Sequence, residues 1–238
     1  MTKPNTAISS LENDQIHIWK ININNPKWEP SHLLSEVLSK DEKRRALRLK
    51  SEKDKNRFIV SRGHLRKKLE SYLEISASEI EFSYNEYGKP SVKSEQNDKK
   101  IKFNVSHSAD LIIYAVRQGS EVGIDVENIR DVNKADKIIG RFFNKQEIDY
   151  YHSHPQHKKK SAFFTLWTRK EAYSKAMGRG IGLPAKEIDL NLVTGRSLTT
   201  NGHKGKSKWS IFDIETENGY LAALATRGDN PNICCFGF

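Results

Sequence analysis

The sequence predicts an α+β fold, a two-layer α/β plan, and three observations predict it. Helical and strand-like hydrophobic patterns come in blocks along the chain. Three strand patterns follow one another in quick succession between Ile101 and Val126, and a last group of strand patterns closes the chain as a meander. Each half therefore mixes helices with antiparallel-looking strands, which favours α+β over a doubly wound sheet. A length of 238 residues suits one large domain or two half-sized ones.

In chain order, Ile16, Ile18, Ile21 and Ile23 around Trp19 read as a strand, and the basic stretch after Ser39 reads as helical. Over Arg57–Tyr72 the residues Phe58, Leu65, Leu69 and Tyr72 fall on one helical face with Arg62 at its edge, a basic amphipathic helix. A strand at Ile80–Tyr84, a turn at Tyr87-Gly88-Lys89-Pro90 and a polar loop over Ser94–Lys100 follow. Ile101, Phe103 and Val105 alternate with polar residues, Leu111–Val116 is an apolar run, and Val122, Ile124 and Val126 alternate again. Helices are expected over Lys134–Tyr151 and Ser161–Met177, the second stopping at Gly178, with Gly180, Gly182 and Pro184 beyond it. The closing strands are expected at Ile188–Val193, Trp209–Ile214 and Tyr220–Ala225. The sequence carries no clear repeat.

Composition narrows the function classes. Charged residues make up 29% and hydrophobic ones 36%, and the mean hydropathy of −0.71 is that of a polar-surfaced globular chain. No apolar run approaches the roughly 18 residues of a membrane helix. Residues 1–15 have neither an apolar core segment nor a small-residue cleavage site, so a cytoplasmic protein without a membrane association is expected. That context also removes Asn104-Val105-Ser106 as a glycosylation signal. Cys234 and Cys235 are adjacent and form no disulfide framework. The net charge of +10 is concentrated: residues 40–70 hold thirteen Lys/Arg against five Asp/Glu. A nucleic acid, an acidic protein or a multiply phosphorylated small molecule fits such a surplus.

The sharpest chemical feature is Gly123-Ile124-Asp125-Val126-Glu127, because alternate residues of a strand share a face and aim both carboxylates one way. Glu171 lies 44 residues after Glu127. Magnesium prefers hard oxygen ligands, so Asp125, Glu127 and Glu171 form a candidate clamp. Lys175 shares the helical face of Glu171, where it forms an ordinary i,i+4 pair or reaches a pyrophosphate. Trp167 is read as a core aromatic. Ser106 and His107 end a strand and are candidate phosphate donors, and no nucleophile-elbow pattern surrounds Ser106. Gly205-Lys206-Ser207 has Thr200 in place of the first glycine of a phosphate loop, and Gly178-Arg179-Gly180-Ile181-Gly182 follows a helix instead of a strand. His152, His154 and His157 sit in a Lys-rich stretch, read as a mobile loop in preference to a zinc site.

Taken in order, four segments closely resemble the Sfp-type 4'-phosphopantetheinyl transferases. They are Phe103-Asn104-Val105-Ser106-His107-Ser108, Val122–Glu127, Arg141-Phe142-Phe143 with Glu147, and Trp167–Ala176. Upstream, Tyr87–Pro90 and Arg57-Phe58 with Arg62, Leu65 and Arg66 also match, so the resemblance spans roughly residues 40–185. It implies a monomer of two similar subdomains, 1–119 and 120–238 with the junction near Gly119, related by a pseudo-twofold axis around an active-site cleft. It also implies transfer of the phosphopantetheine arm of coenzyme A to a serine of an apo acyl or peptidyl carrier protein, releasing adenosine 3',5'-bisphosphate. Magnesium, with manganese as a substitute ion, is the implied metal.

By matching positions, Asp125, Glu127 and Glu171 resemble the metal ligands. Lys175, Ser106 and His107 resemble contacts to the coenzyme A phosphates, Arg57 and Lys89 contacts to its nucleotide end, and Arg62 and Asp125 further coenzyme A-binding positions. Arg44 and Arg45 are further candidates in the basic segment. Glu171 is the expected base and Lys175 the group that stabilises the leaving phosphate. The basic surplus then binds coenzyme A and steers an acidic carrier. The chain departs from the family pattern in His152–Lys160 and beyond Pro231. Two rival readings are a basic nucleic-acid-binding module and a metal-independent, coenzyme A-dependent acyl transferase.

Overall fold

A computed structural model describes residues 11–133, 135–179, 198–201, 208–228 and 231–237. Its first strand, β1 (Gln15–Asn22), is buried on both faces, with the polar His17 and Lys20 buried among Ile16, Ile18, Trp19 and Ile21. Helices α1 (Ser31–Glu36) and α2 (Lys40–Leu47) follow. α2 begins at a capping box: Ser39 Oγ accepts from Glu42 N at 3.2 Å, and Glu42 Oε2 accepts from Ser39 N at 3.0 Å. The same Glu42 oxygen takes Arg66 Nε at 2.6 Å, so part of the basic surplus is internal structure. Arg66 is buried in α3 (Glu52–Leu73) and also donates to the carbonyls of Ala77 and Ile80.

A two-stranded hairpin comes next, β2 (Phe82–Tyr84) and β3 (Pro90–Val92), then the antiparallel run β4 (Ile101–Ser108) and β5 (Leu111–Gln118), and β6 (Val122–Asn128). Beyond them lie α4 (Ala135–Phe142), α5 (Lys145–Ser153) and α6 (Lys159–Ala176). β7 (Leu198–Asn201), β8 (Lys208–Ile214), β9 (Tyr220–Arg227) and β10 (Asn232–Phe236) complete the order.

The strands form two four-stranded sheets, β10-β1-β5-β4 and β6-β9-β8-β7. On the first, Trp19, Ile21, Ile112, Tyr114 and Val116 turn toward Val60, Leu65, Leu69 and Tyr72 of α3. The opposite face presents Ile16, Ile18, Leu111, Ile113 and Ala115 to Ile124, Val126, Ala222 and Leu224 of the second sheet. On the far side of that sheet Ala223, Ala225, Trp209 and Ile211 receive Ala172, Tyr173 and Ala176 of α6. Two α/β layers thus stack sheet to sheet, with helices outermost.

Three expectations change. The single helix over Lys134–Tyr151 is two, because Asn144 opens a new capping box with Glu147 and ends α4 at Phe142; Lys134 itself lies outside the described residues. The loop expected at His152–Lys160 is largely helical: α5 runs to Ser153, a 3-10 turn covers Gln156–Lys158 and α6 starts at Lys159. The meander is joined by β10, which leaves it to pair parallel with β1, Ile16 opposite Ile233. The strand expected at Ile188–Val193, the residues Gly180, Gly182 and Pro184, and Gly205-Lys206-Ser207 lie outside the described residues.

Candidate active site

The site forms where the two sheets meet edge to edge. β6 is the outer strand of its sheet, so its outward N–H groups have no strand to pair with. Side chains on one face of β4 satisfy them instead. Asn104 Oδ1 accepts from Ile124 N at 2.9 Å, Ser106 Oγ from Val126 N at 3.2 Å and Ser108 Oγ from Asn128 N at 3.0 Å. Spacing by two along both strands makes this a ladder of side chains in place of a backbone ladder.

Two of its rungs also hold the carboxylates. Ser106 Oγ donates to Asp125 Oδ1 at 2.9 Å, and Ser108 Oγ to Glu127 Oε2 at 2.9 Å. The alternation that places Ile124 and Val126 in the core turns Asp125 and Glu127 toward α6. That helix lies unusually close. A Cβ on Gly123 would stand 2.1 Å from the Ala172 carbonyl oxygen and 2.3 Å from Ala176 N, so only glycine permits this packing.

Close packing brings the helix face of Glu171 and Lys175 onto the strand face of Asp125. Lys175 Nζ lies 2.6 Å from Asp125 Oδ1 and 2.9 Å from Ser106 Oγ. Asp125 is 4% exposed, and its second oxygen, Oδ2, is buried with no hydrogen-bond partner. Burial raises the Asp125 carboxyl above its usual range, against the pull of Lys175 and Ser106. Glu171 is pushed up to about 7, by burial first and then by the Asp125 charge, with Lys175 opposing and Glu127 adding to the rise. Glu127 is held at Oε2 by Arg130 Nη1 at 2.8 Å.

Ser106 and His107 are neighbours on a strand and so leave it on opposite faces. His107 belongs to the α3 side and is exposed, yet its pKa is lowered, by partial desolvation first and then by Arg57 and Lys175. Arg57 sits at the start of α3 with Asp54 at 3.4 Å and a buried Nε that has no partner. Arg62 takes a different position. It packs over the rings of Phe58 and Phe82, pairs with Glu42 at 3.4 Å and lines a cleft of about 940 Å³ together with Arg45. Lys89, at the hairpin tip, turns its ammonium to Glu121 and to the carbonyls of Val122 and Ala176. Arg44 pairs with Asp41 on the exposed face of α2.

The three carboxylates supply the hard oxygens that a divalent cation takes, and the orphaned Asp125 oxygen beside a carboxyl already strained by like charge suits such an ion. Lys175 and Arg130 occupy part of that donor set, and among the described residues no three His, Cys, Asp or Glu side chains are gathered closely enough to hold a metal ion as they stand. Trp167 stacks on Phe163 with ring centroids 5.9 Å apart and meets Phe142 edge-on, as its reading as a core aromatic requires. Glu147, buried in α5, pairs with Lys170 of α6 at 2.8 Å.

Asn104, Ser108, Arg130 and Glu121 are site residues that sequence reasoning left without a role. For Asn104 and Ser108 the signal was present: they alternate with Ser106 by the same period of two that picked out Asp125 and Glu127.

Comparison with known proteins agrees along most of the chain. Residues 121–225 match the family described as the 4'-phosphopantetheinyl transferase superfamily, and residues 25–119 match 4'-phosphopantetheinyl transferase, N-terminal. The 4'-phosphopantetheinyl transferase HetI of Nostoc sp. is 33% identical over 92% of this chain and 90% of its own. The transferase gsp of Aneurinibacillus migulanus is 33% identical over 82% of this chain and 78% of its own. Sfp of Bacillus subtilis is 26% identical over 85% of this chain and 88% of its own. A solved holo-(acyl-carrier-protein) synthase from Bacillus anthracis, in complex with CoA (3',5'-ADP), aligns at a TM-score of 0.39 and 21% identity, over 45% of this chain and 94% of that one.

Proposed function

Because the chain belongs to the 4'-phosphopantetheinyl transferases of Sfp type, we propose that Asp125, Glu127 and Glu171 hold magnesium, or manganese in its place, for transfer from coenzyme A to a carrier serine. The enzyme moves the phosphopantetheine arm of coenzyme A onto carrier proteins. When bound, the ion would neutralise charge on the coenzyme A pyrophosphate. The observation that carries the reading is the buried, partnerless Asp125 Oδ2, on a carboxylate whose charge, with burial, pushes Glu171 up to about 7.

The carrier serine attacks the phosphorus on the pantetheine side, and the bond from that phosphorus to the bridging oxygen breaks. Glu171 takes the serine proton. Lys175, already beside Asp125 and Ser106, moves its charge toward the departing phosphate of adenosine 3',5'-bisphosphate. His107 and Arg57 share an electropositive corner on the α3 side and take phosphates there, while the nucleotide side runs toward the cleft lined by Arg62 and Arg45.

Support for a division into 1–119 and 120–238 about a pseudo-twofold axis is that each half supplies antiparallel strands and one long outer helix, α3 or α6, with β10 of the second half completing the sheet of the first. The turn at Gly119, with φ of 72°, separates them. We place the enzyme in the cytoplasm as a monomer, where free Cys234 and Cys235 stay reduced. No helix among the described residues is long and apolar enough to cross a membrane. The +10 net charge draws an acidic carrier, and membership of the transferase family, not the charge, sets the carrier above nucleic acid as the partner.

The test is to incubate the protein with coenzyme A, magnesium and apo-carrier, then weigh the carrier intact. A gain of one phosphopantetheine that disappears with EDTA is expected. An equal gain in EDTA would remove the metal from the mechanism.

A further inference from the structure

The C-terminal half of α6 meets β6 through Ala172 and Ala176 on Gly123. That contact sets how closely helix and strand approach, and Tyr173 on Trp209 and Arg169 on Asp213 tie the helix to the same sheet, but the turn beyond Ala176 is left to be held from elsewhere. Yet Glu171 and Lys175 must arrive opposite Asp125 to within a fraction of an ångström.

Something does hold that end of the helix, and it comes from the other half of the chain. The tip of the β2–β3 hairpin reaches across to Ala176 O at the end of α6 and to Gly178 O two residues past it, while Tyr173, Ser174 and Lys175 O accept from the amides of Met177, Arg179 and Gly178. Asn85 Nδ2 donates to Gly178 O at 2.7 Å, and Lys89 Nζ to Ala176 O at 3.1 Å. Gly178 is left-handed, with φ of 70°, and a Cβ there would stand 2.9 Å from Asn85 Nδ2. The reach is prepared locally, because Asn85 Oδ1 accepts from both Tyr87 N and Lys89 N and so fixes the turn that aims Lys89. An ammonium has three donors. Those of Lys89 have three acceptors, with Glu121 Oε2 and Val122 O each at 3.3 Å besides Ala176.

We infer that Asn85 and Lys89 are positioning residues: they latch the hairpin to the C-terminus of α6 and so set where Glu171 and Lys175 stand against Asp125. Lys89 then acts on the reaction through the helix, not through a phosphate. The latch also crosses between the two halves, so the hairpin's placement and the carboxylate cluster are one mechanical unit. This rests on the proposed role of the carboxylates.

The test uses Asn85→Asp and Lys89→Met in the full chain. Asn85→Asp keeps the oxygen that builds the turn, so the hairpin still folds, but replaces the donor to Gly178 with a carboxylate oxygen that repels the carbonyl. Three measurements are made: affinity for coenzyme A by calorimetry, kcat at saturating coenzyme A, and binding of Mn2+ alone by electron paramagnetic resonance. The latch predicts kcat lowered about tenfold or more in each variant, Mn2+ binding weakened in parallel, and coenzyme A affinity changed by less than about twofold. Weaker coenzyme A binding with kcat and Mn2+ affinity intact would overturn it and make Lys89 a nucleotide contact. Unchanged values throughout would overturn it as well. A wild-type protein that transfers nothing, while the variants still weaken Mn2+ binding, would defeat the proposed reaction and leave the latch standing.

Discussion

Lys175 Nζ stands 2.6 Å from one oxygen of Asp125, while the other oxygen of that carboxylate is buried without a partner. One half of the group is neutralised from α6 and the other half is left for something positive.

Asp125→Asn keeps the shape and the contacts of Oδ1 but removes the charge. Transfer to apo-carrier, followed by intact mass, is expected to fall by about a hundredfold or more, with melting temperature little changed. Turnover within a few-fold of wild type would show that the charge is not needed.

Gly123→Ala tests the close approach of helix and strand. The new Cβ meets backbone of α6, at 2.1 Å from the Ala172 oxygen, and backbone cannot rotate away as a flexible side chain can. A loss of about 3 kcal/mol in urea unfolding is expected, together with loss of transfer. An unchanged unfolding midpoint would mean that α6 does not rest on β6 in this way.

Asn104→Ala removes one rung of the side-chain ladder and leaves the buried N–H of Ile124 without its acceptor. The expected cost is about 1 to 3 kcal/mol by chemical denaturation. Asn104→Ser, which offers a hydroxyl acceptor as Ser106 does on the next rung, should recover part of it.

Metal affinity should depend on pH through Glu171. Its carboxyl keeps its proton up to about 7 because of burial and the Asp125 charge, and a cation has to displace that proton. Mn2+ binding is therefore expected to strengthen by about tenfold per pH unit below 7 and to level off above it. In Glu171→Gln the slope should vanish, and a slope that survives there belongs to another group.

His64 gives stability the same sign. Burial chiefly lowers its pKa to about 4, with Lys68 and Lys67 lowering it and Glu29 opposing. The folded value lies below the unfolded 6.5, so the neutral ring stabilises the fold fully above that pH. Stability is lost as pH falls from 6.5 toward 4, by on the order of 3 kcal/mol. His17, whose pKa burial also lowers, adds to the loss. Urea midpoints at pH 7.5 and 4.5 for wild type and His64→Asn check this; an equal drop in both proteins would clear His64 of the effect.

Much of the site was legible because regular backbone has fixed periods. A period of two put Asp125 and Glu127 on one side of a strand, and a spacing of four put Glu171 and Lys175 on one side of a helix. The same periods marked the core of β1, β5 and α3, where apolar residues recur on schedule. Ends were less legible. Asn144 and Glu147 form a capping box inside what reads as one helix, and only the hydrogen bonds reveal the break.

What the sequence by itself determined was the local kind of each element and the face on which its reactive groups lie, since both follow from interactions between residues a few positions apart. Tertiary structure alone decided which faces meet. β10 pairs with β1 across more than two hundred residues, the hairpin tip of Asn85 closes on Gly178, and Ser106 finds Asp125 and Lys175 together. Those pairings depend on how two sheets and a helix share buried surface, with Gly123 giving α6 room, and no period along the chain encodes them.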